Sequence, residues 1–216
     1  MKKKRWLISV FLFVLITGIS LYFDTGFSKL ISLLRTRFLD NIFLGITFVS
    51  SEIIIFFILT SLFLWKDNKR KWIVPLWFSL AASAIVSFFL KIAVQRNRPF
   101  QLGLVPALTV LQEASFNIWN FSFPSFQTMM AFSAVPILSR EYPRLKYFWI
   151  AFAGLIGFSR IYFGLHFLSD VVIGGFLGYL IGMFIVQKEE EIKFGEKIAR
   201  MVFKKKVKYK YKEREK

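Results

Sequence analysis

The sequence predicts an all-α fold, an integral membrane bundle of six transmembrane helices with a short interfacial helix. Three observations carry the prediction. The 216 residues are 56% apolar, with 28 Phe, 6 Trp and a mean hydropathy of +0.53, more than a soluble domain of this size usually carries. The apolar residues gather into stretches of about twenty, enough to cross a hydrocarbon core roughly 30 Å thick. The Lys and Arg residues fall between those stretches, and mostly between alternate ones.

The spans fall at about Trp6–Phe23, Ile42–Trp65, Ile73–Val94, Pro124–Ser139, Tyr147–Phe163 and Phe167–Val186. The first follows MKKKR. Its run of about eighteen residues is long for the apolar region of a signal peptide, and no small-residue cleavage pattern follows, so it reads as a retained anchor. Beyond it Phe27, Leu30, Ile31, Leu34 and Phe38 recur at helical spacing, with Lys29, Arg35 and Arg37 elsewhere on the wheel. That pattern predicts the short interfacial helix. The second span carries Glu52 beside Ser50 and Ser51, and an intramembrane carboxylate is a functional candidate by default. The connection 95–123 holds Pro99, Pro106 and a Trp/Phe-rich end, and so long a loop in a compact bundle is often functional. On the sixth span Gly174, Gly178 and Gly182, with Gly175, are expected to let a neighbouring helix approach closely. Residues 1–187 are thus expected to form one membrane domain, with 188–216 as a basic tail.

Charge sets the expected orientation. Four Lys/Arg precede the first span, four separate the second and third, three separate the fourth and fifth, and twelve follow the sixth. Lys and Arg accumulate on the cytoplasmic side, so both termini are expected there. The net charge of +17 is therefore assigned to membrane topology rather than to nucleic acid. The tail FKKKVKYKYKEREK is expected to meet anionic lipid headgroups, with Tyr209 and Tyr211 at the interface. The chain has no Cys and one His, which excludes a disulfide framework and a Cys-based or multi-His metal site.

Three polar groups lie at the opposite, outer ends of spans three to six. The first is KIAVQRNRP, with Lys91 and, seven residues on, Arg98–Pro99. The second is PSFQ, Pro124–Gln127, opening span four. The third is SRIYFGLHFLSD, with Ser159–Arg160, His166 and Asp170. Lys91, Arg98 and Arg160 are cations beside a membrane, costly unless paired or hydrated. Together they suit a tri-oxygen anion, each Arg able to bind two oxygens. The start of span four adds the positive end of a helix dipole. Asp170 lies four residues from His166, on one helix face if the helix already runs there, and could fix the imidazole tautomer.

The pattern K-x6-R-P, P-S-x-x, S-R-x5-H-x3-D resembles the type 2 phosphatidic acid phosphatase superfamily, which includes the vanadium haloperoxidases. The first and third motifs match at all seven fixed positions, and the six-span layout extends the likeness over residues 1–187. The resemblance implies a membrane lipid phosphatase or diphosphatase without metal or other cofactor, acting at the non-cytoplasmic face. It implies that His166 attacks phosphorus to give a phosphohistidine, that Asp170 orients it, and that Lys91, Arg98, Ser125 and Arg160 bind the phosphate.

The second motif departs from the family pattern P-S-G-H. Phe126 stands in place of the glycine and Gln127 in place of the histidine that protonates the leaving group. Gln donates hydrogen bonds but has no proton to give. The loss matters for an alkoxide, whose conjugate acid has a pKa of about 16, and much less for a phosphate monoester, with a second pKa near 6. A lipid diphosphate, such as that of a polyprenyl carrier, is therefore the expected preference. Glu52 and Glu113 are candidate replacement acids. Two other readings stay open: a catalytically weak relative that binds lipid phosphate as a sensor or transport component, and a phosphoryl or glycosyl transferase using the same site.

Overall fold

The computed structural model describes residues 2–106 and 120–212, with side chains over 11–106 and 120–203. Every regular element among them is helical. In chain order these are α1 (Lys2–Leu33), α2 (Arg37–Val49), α3 (Glu52–Leu64), a 3₁₀ turn (Asp67–Trp72), α4 (Ile73–Val94), α5 (Phe126–Glu141), a second 3₁₀ turn (Pro143–Leu145), α6 (Lys146–Tyr162), α7 (Leu168–Ile192) and α8 (Phe194–Lys212).

Among the described residues three helices are long and apolar enough to cross a membrane: Phe11–Leu33, Asp67–Val94 and Leu168–Ile192. The expected second span is a broken one. α2 and α3 meet at a 64° bend and make a fourth span only if counted together. The break has a local cause. Ser50 turns its hydroxyl back onto the Thr47 carbonyl, Ser51 leaves the helical region, and Glu52 begins a new helix at the end that favours an acid. α5, with 16 residues, and α6, with 17, fall short of the ~20 that a straight crossing takes. Among the described residues three or four helices, not six, are long and apolar enough for a full crossing.

The interfacial helix expected after the first span does not form. α1 runs unbroken to Leu33, and Phe38 belongs to α2 after a Thr36 cap whose side chain accepts from the Leu39 N–H. What carries α1 past Asp24 is that this carboxylate is buried and paired within the bundle, so it does not end the span as a lone charge would. The basic tail is helical over Phe194–Lys212. The buried Glu189 carboxylate accepts from the Gly195 and Glu196 N–H groups, capping α8, while Phe203 lies under the Arg70 guanidinium.

α5 is the centre of the bundle, buried along most of its length between α4, α6 and α7. Its contact with α7 is made by the expected glycines. A Cβ on Gly174 would stand 2.9 Å from the Ser125 carbonyl oxygen, one on Gly178 2.1 Å from that of Met129, and one on Gly182 2.2 Å from that of Ser133. Backbone meets backbone there. Gly178→Ala is accordingly expected to lower the melting temperature, because overpacking costs about 1–3 kcal/mol and outweighs a helix-propensity gain of about 1 kcal/mol. Gly154, with nothing within 4 Å of its Cβ position, is the paired control, where alanine should stabilise.

Candidate active site

The site is built where the connection after α4 locks onto the connection after α6. α4 ends at Gln95, held in the left-handed region at φ 49°, and the chain then folds back. The Phe100 N–H donates to the Gly164 carbonyl at 3.1 Å. Gly164 has φ +64°, and a Cβ on it would stand 2.7 Å from Val105, so glycine is required both by conformation and by space. The Leu165 N–H donates to the Arg160 carbonyl at 3.0 Å, folding residues 163–167 back over the end of α6.

These turns bring together the residues expected from sequence. Lys91, Arg98, Ser125, Arg160, His166 and Asp170 are all buried. Lys91 Nζ donates to the Phe121 carbonyl at 2.5 Å, and Arg98 Nε to the Asn120 carbonyl at 2.9 Å. Arg160 Nε and Nη1 are buried and have no hydrogen-bond partner among the described residues. Glu52, on the exposed first turn of α3, is within electrostatic reach of Arg160. Ser125 precedes the first turn of α5. Its N–H donates to the Asp170 carbonyl at 3.1 Å and its hydroxyl is 2.8 Å from that of Thr128. Gln127 is half-buried on the same first turn. Glu113 lies outside the described residues.

Asp170, expected to fix the His166 tautomer, reaches the imidazole through a relay. His166 Nδ1 is 3.9 Å from Asp170 Oδ2, beyond hydrogen-bond distance, and 2.6 Å from the Ser122 carbonyl. α7 begins at Leu168, so His166 stands outside the helix and the shared face expected for residues four apart does not exist. Asp170 instead reaches back to accept from the Phe167 N–H at 2.8 Å, one half of a capping box. The same Oδ2 accepts from the Ser122 hydroxyl. Ser122 therefore links carboxylate to imidazole, its hydroxyl on one and its carbonyl on the other.

A carbonyl can only accept, so Nδ1 carries the proton and Nε2 presents its lone pair. Burial, then the charges of Arg98, Lys91 and Arg160, push the His166 pKa well below its ordinary 6.5, against the opposing bond to Ser122. Arg98 is itself held down to about 10, by burial first. As His166 is the one histidine in the chain, its ring nitrogens can be followed by NMR without assignment. The expected result is a neutral ring protonated at Nδ1 through pH 6.5, titrating only at more acidic pH. The acid limb of kcat/KM should follow it, since that limb reports the free enzyme.

Two residues at the site were not foreseen from sequence, Asp24 and Arg96. Arg96 Nη1 donates to Asp170 Oδ1 at 2.8 Å and Nη2 to Asp24 Oδ2 at 2.7 Å, and its guanidinium lies 3.9 Å over the Phe167 ring. The sequence signal for Asp24 was a lone acid in an apolar run, the same signal that singled out Glu52. Among the described residues no three His, Cys, Asp or Glu converge to hold a metal ion.

The chain is similar to several known proteins. The family model of the PAP2 superfamily matches residues 72–193. Phosphatidylglycerophosphatase B of Bacillus subtilis is 28% identical over 207 residues, 86% of this chain and 96% of its own. The bacitracin transport permease protein BcrC of Bacillus licheniformis is 32% identical over 73 residues, covering 34% of this chain and 36% of its own. Crystal structures resemble this one as well. The transmembrane PAP2-type phosphatidylglycerolphosphate phosphatase of Bacillus subtilis has a TM-score of 0.67 at 26% identity, covering 87% of this chain and 97% of that one. LpxE of Aquifex aeolicus has a TM-score of 0.60 at 28% identity, covering 76% and 94%.

Proposed function

Because the chain belongs to the PAP2 superfamily, we propose that it is a membrane lipid phosphatase or diphosphatase in which His166 is the nucleophile. The observation that supports this most is a buried imidazole whose proton affinity is lowered by burial and by three buried cations, one of which, Arg160, has two side-chain nitrogens with no hydrogen-bond partner among the described residues. A phosphate supplies what is missing: oxygens for the unpaired donors and negative charge among Lys91, Arg98 and Arg160. The Bacillus subtilis relative, matched both in sequence and in its crystal structure, is named for a lipid phosphate, phosphatidylglycerophosphate, which supports that substrate class here.

The step balances without a metal. The Nε2 lone pair forms the N–P bond as the P–O bond to the leaving group breaks, and that oxygen keeps the bonding pair. Water then attacks phosphorus, the N–P bond breaks, and inorganic phosphate departs from a neutral imidazole. The proton lost by water balances the one taken up by the leaving oxygen. Lys91, Arg98, Ser125 and Arg160 hold the phosphate, and Asp170 acts on His166 through Ser122. In this reading α5 and α6 complete a six-span bundle with both termini cytoplasmic and the site at the outer face, and the basic tail meets anionic headgroups.

With Gln127 where an acid is needed, the preferred substrate is a diphosphate. The test is phosphate release by the purified protein on a lipid monophosphate and the matching diphosphate, with His166→Ala beside it. Release that disappears in the variant and is faster on the diphosphate is the expected outcome. Equal rates on the two substrates would remove the preference. Release that survives His166→Ala would remove the nucleophile. Gln127 also favours a second reading, a relative that binds lipid phosphate without turning it over. That reading predicts no release from either substrate and binding that needs Arg160.

A further inference from the structure

We propose that Asp24, on the N-terminal helix, is a positioning residue for the reaction: through Arg96 and Ser169 it keeps Asp170 on Ser122, and Ser122 keeps His166 in its reactive tautomer. The proposal rests on His166 being the reacting group. It makes α1 part of the catalytic apparatus, although α1 lies outside the residues 72–193 that the family model matches.

The chain of contacts is continuous. Asp24 is 3% exposed. Its Oδ1 accepts from the Ser169 N–H at 2.8 Å, and its Oδ2 accepts from the Ser169 hydroxyl at 2.5 Å and from Arg96 Nη2 at 2.7 Å. Arg96 turns its other terminal nitrogen to Asp170 Oδ1 at 2.8 Å, so one guanidinium is divided between two buried carboxylates. Asp170 is left with Oδ2 for Ser122 and the Phe167 N–H. The Arg96 carbonyl closes the circuit by accepting from the Ser122 N–H at 2.7 Å.

Division is what makes Asp24 matter. With its charge removed, as in Asp24→Asn, Arg96 has Asp170 as its one carboxylate in the cluster; the amide oxygen still accepts from the Ser169 N–H, but the amide nitrogen in place of Oδ2 accepts neither from the Ser169 hydroxyl nor from Arg96 Nη2. Asp170 is then drawn toward Arg96 and off Ser122. Once the Ser122 carbonyl moves, Nδ1–H loses its acceptor, and nothing decides which ring nitrogen carries the proton. A fraction of the protein then presents N–H, rather than a lone pair, from Nε2.

The experiment uses the full chain and two independent readouts, steady-state phosphate release and the ring-nitrogen NMR signals of the single histidine. In Asp24→Asn, kcat is expected to fall about ten- to a hundredfold, the scale of a small misplacement of a reacting group, with KM changed by less than about threefold. The ring signals should pass from one tautomer to a mixture, and Asp24→Glu should restore part of both. Ile31→Ala, a buried truncation two turns along the same helix, is the control. It should lower the melting temperature and leave the ring signals in place. If Asp24→Asn does not fold, Ser169→Ala is read instead and should move the ring signals in the same direction. Ring signals and kcat unchanged in Asp24→Asn, or ring signals unchanged in Ser169→Ala where that is read, would overturn the proposal. So would equal movement in Ile31→Ala. Should the wild-type protein release no phosphate, the function proposed above fails, and the ring signals alone decide the role of Asp24.

Discussion

Replacing Gln127 by histidine is expected to raise hydrolysis of a lipid monophosphate by about 10²–10⁴-fold, the usual worth of a positioned general acid. Hydrolysis of the matching diphosphate should change by less than about tenfold. The difference comes from the leaving group. An alcohol departs as an alkoxide that must be protonated as the bond breaks, and Gln127 has no proton to give. A diphosphate releases a phosphate monoester that is stable as an anion at neutral pH, so an added acid does little for it. Position 127 suits the test. It is half-buried on the first turn of α5, two residues beyond the buried Ser125 and one before the buried Thr128, so a ring there need not displace core packing. Phe126 is left in place, because its backbone already forms the first residue of α5. The measurement is kcat on both substrates for wild type and variant. Equal gains on the two would show that Gln127 limits something other than leaving-group protonation, and no gain on either would show that residue 127 does not face the scissile oxygen.

Much of this molecule is legible in its hydropathy, and the parts that are not share a cause. Helices α4 and α7 follow from uninterrupted apolar runs, and the Gly174–Gly178–Gly182 spacing announces a helix face that must lie against backbone. The three motifs likewise place the cations, Ser125, His166 and Asp170 in one buried site. What fails is the reading of lone polar residues in apolar stretches. Asp24 looks like the end of a span because its partners, Arg96 and Ser169, lie 72 and 145 residues away, and no local period records them. Ser50 and Ser51 look harmless inside a span, yet they break it. The His166–Asp170 relation fails more narrowly. Spacing by four implies a shared face only within a helix, and α7 begins two residues after the histidine.

Arg160→Met is expected to make the protein more stable and far less active. Arg160 is 7% exposed, Glu52 acts on it electrostatically, and two of its N–H groups find no hydrogen-bond partner among the described residues. A buried cation with unsatisfied donors costs free energy in the empty protein, and replacing buried ionic groups with an apolar side chain of similar volume has stabilised other proteins by 1–4 kcal/mol. The same donors are what a phosphate would use, and losing a buried charge-assisted contact to an anion costs roughly 2–5 kcal/mol, a fall of about 30- to several-thousand-fold in kcat/KM. The two effects have opposite signs, which separates them from simple damage to the fold. Thermal melting with and without inorganic phosphate reads both. Phosphate at a hundred times its dissociation constant should stabilise the wild-type protein by about 2.7 kcal/mol. Arg160→Met should start at a higher melting temperature and gain little from the same phosphate. A variant that melts lower, or one that phosphate still stabilises fully, would mean that Arg160 serves the architecture of α6 rather than the anion.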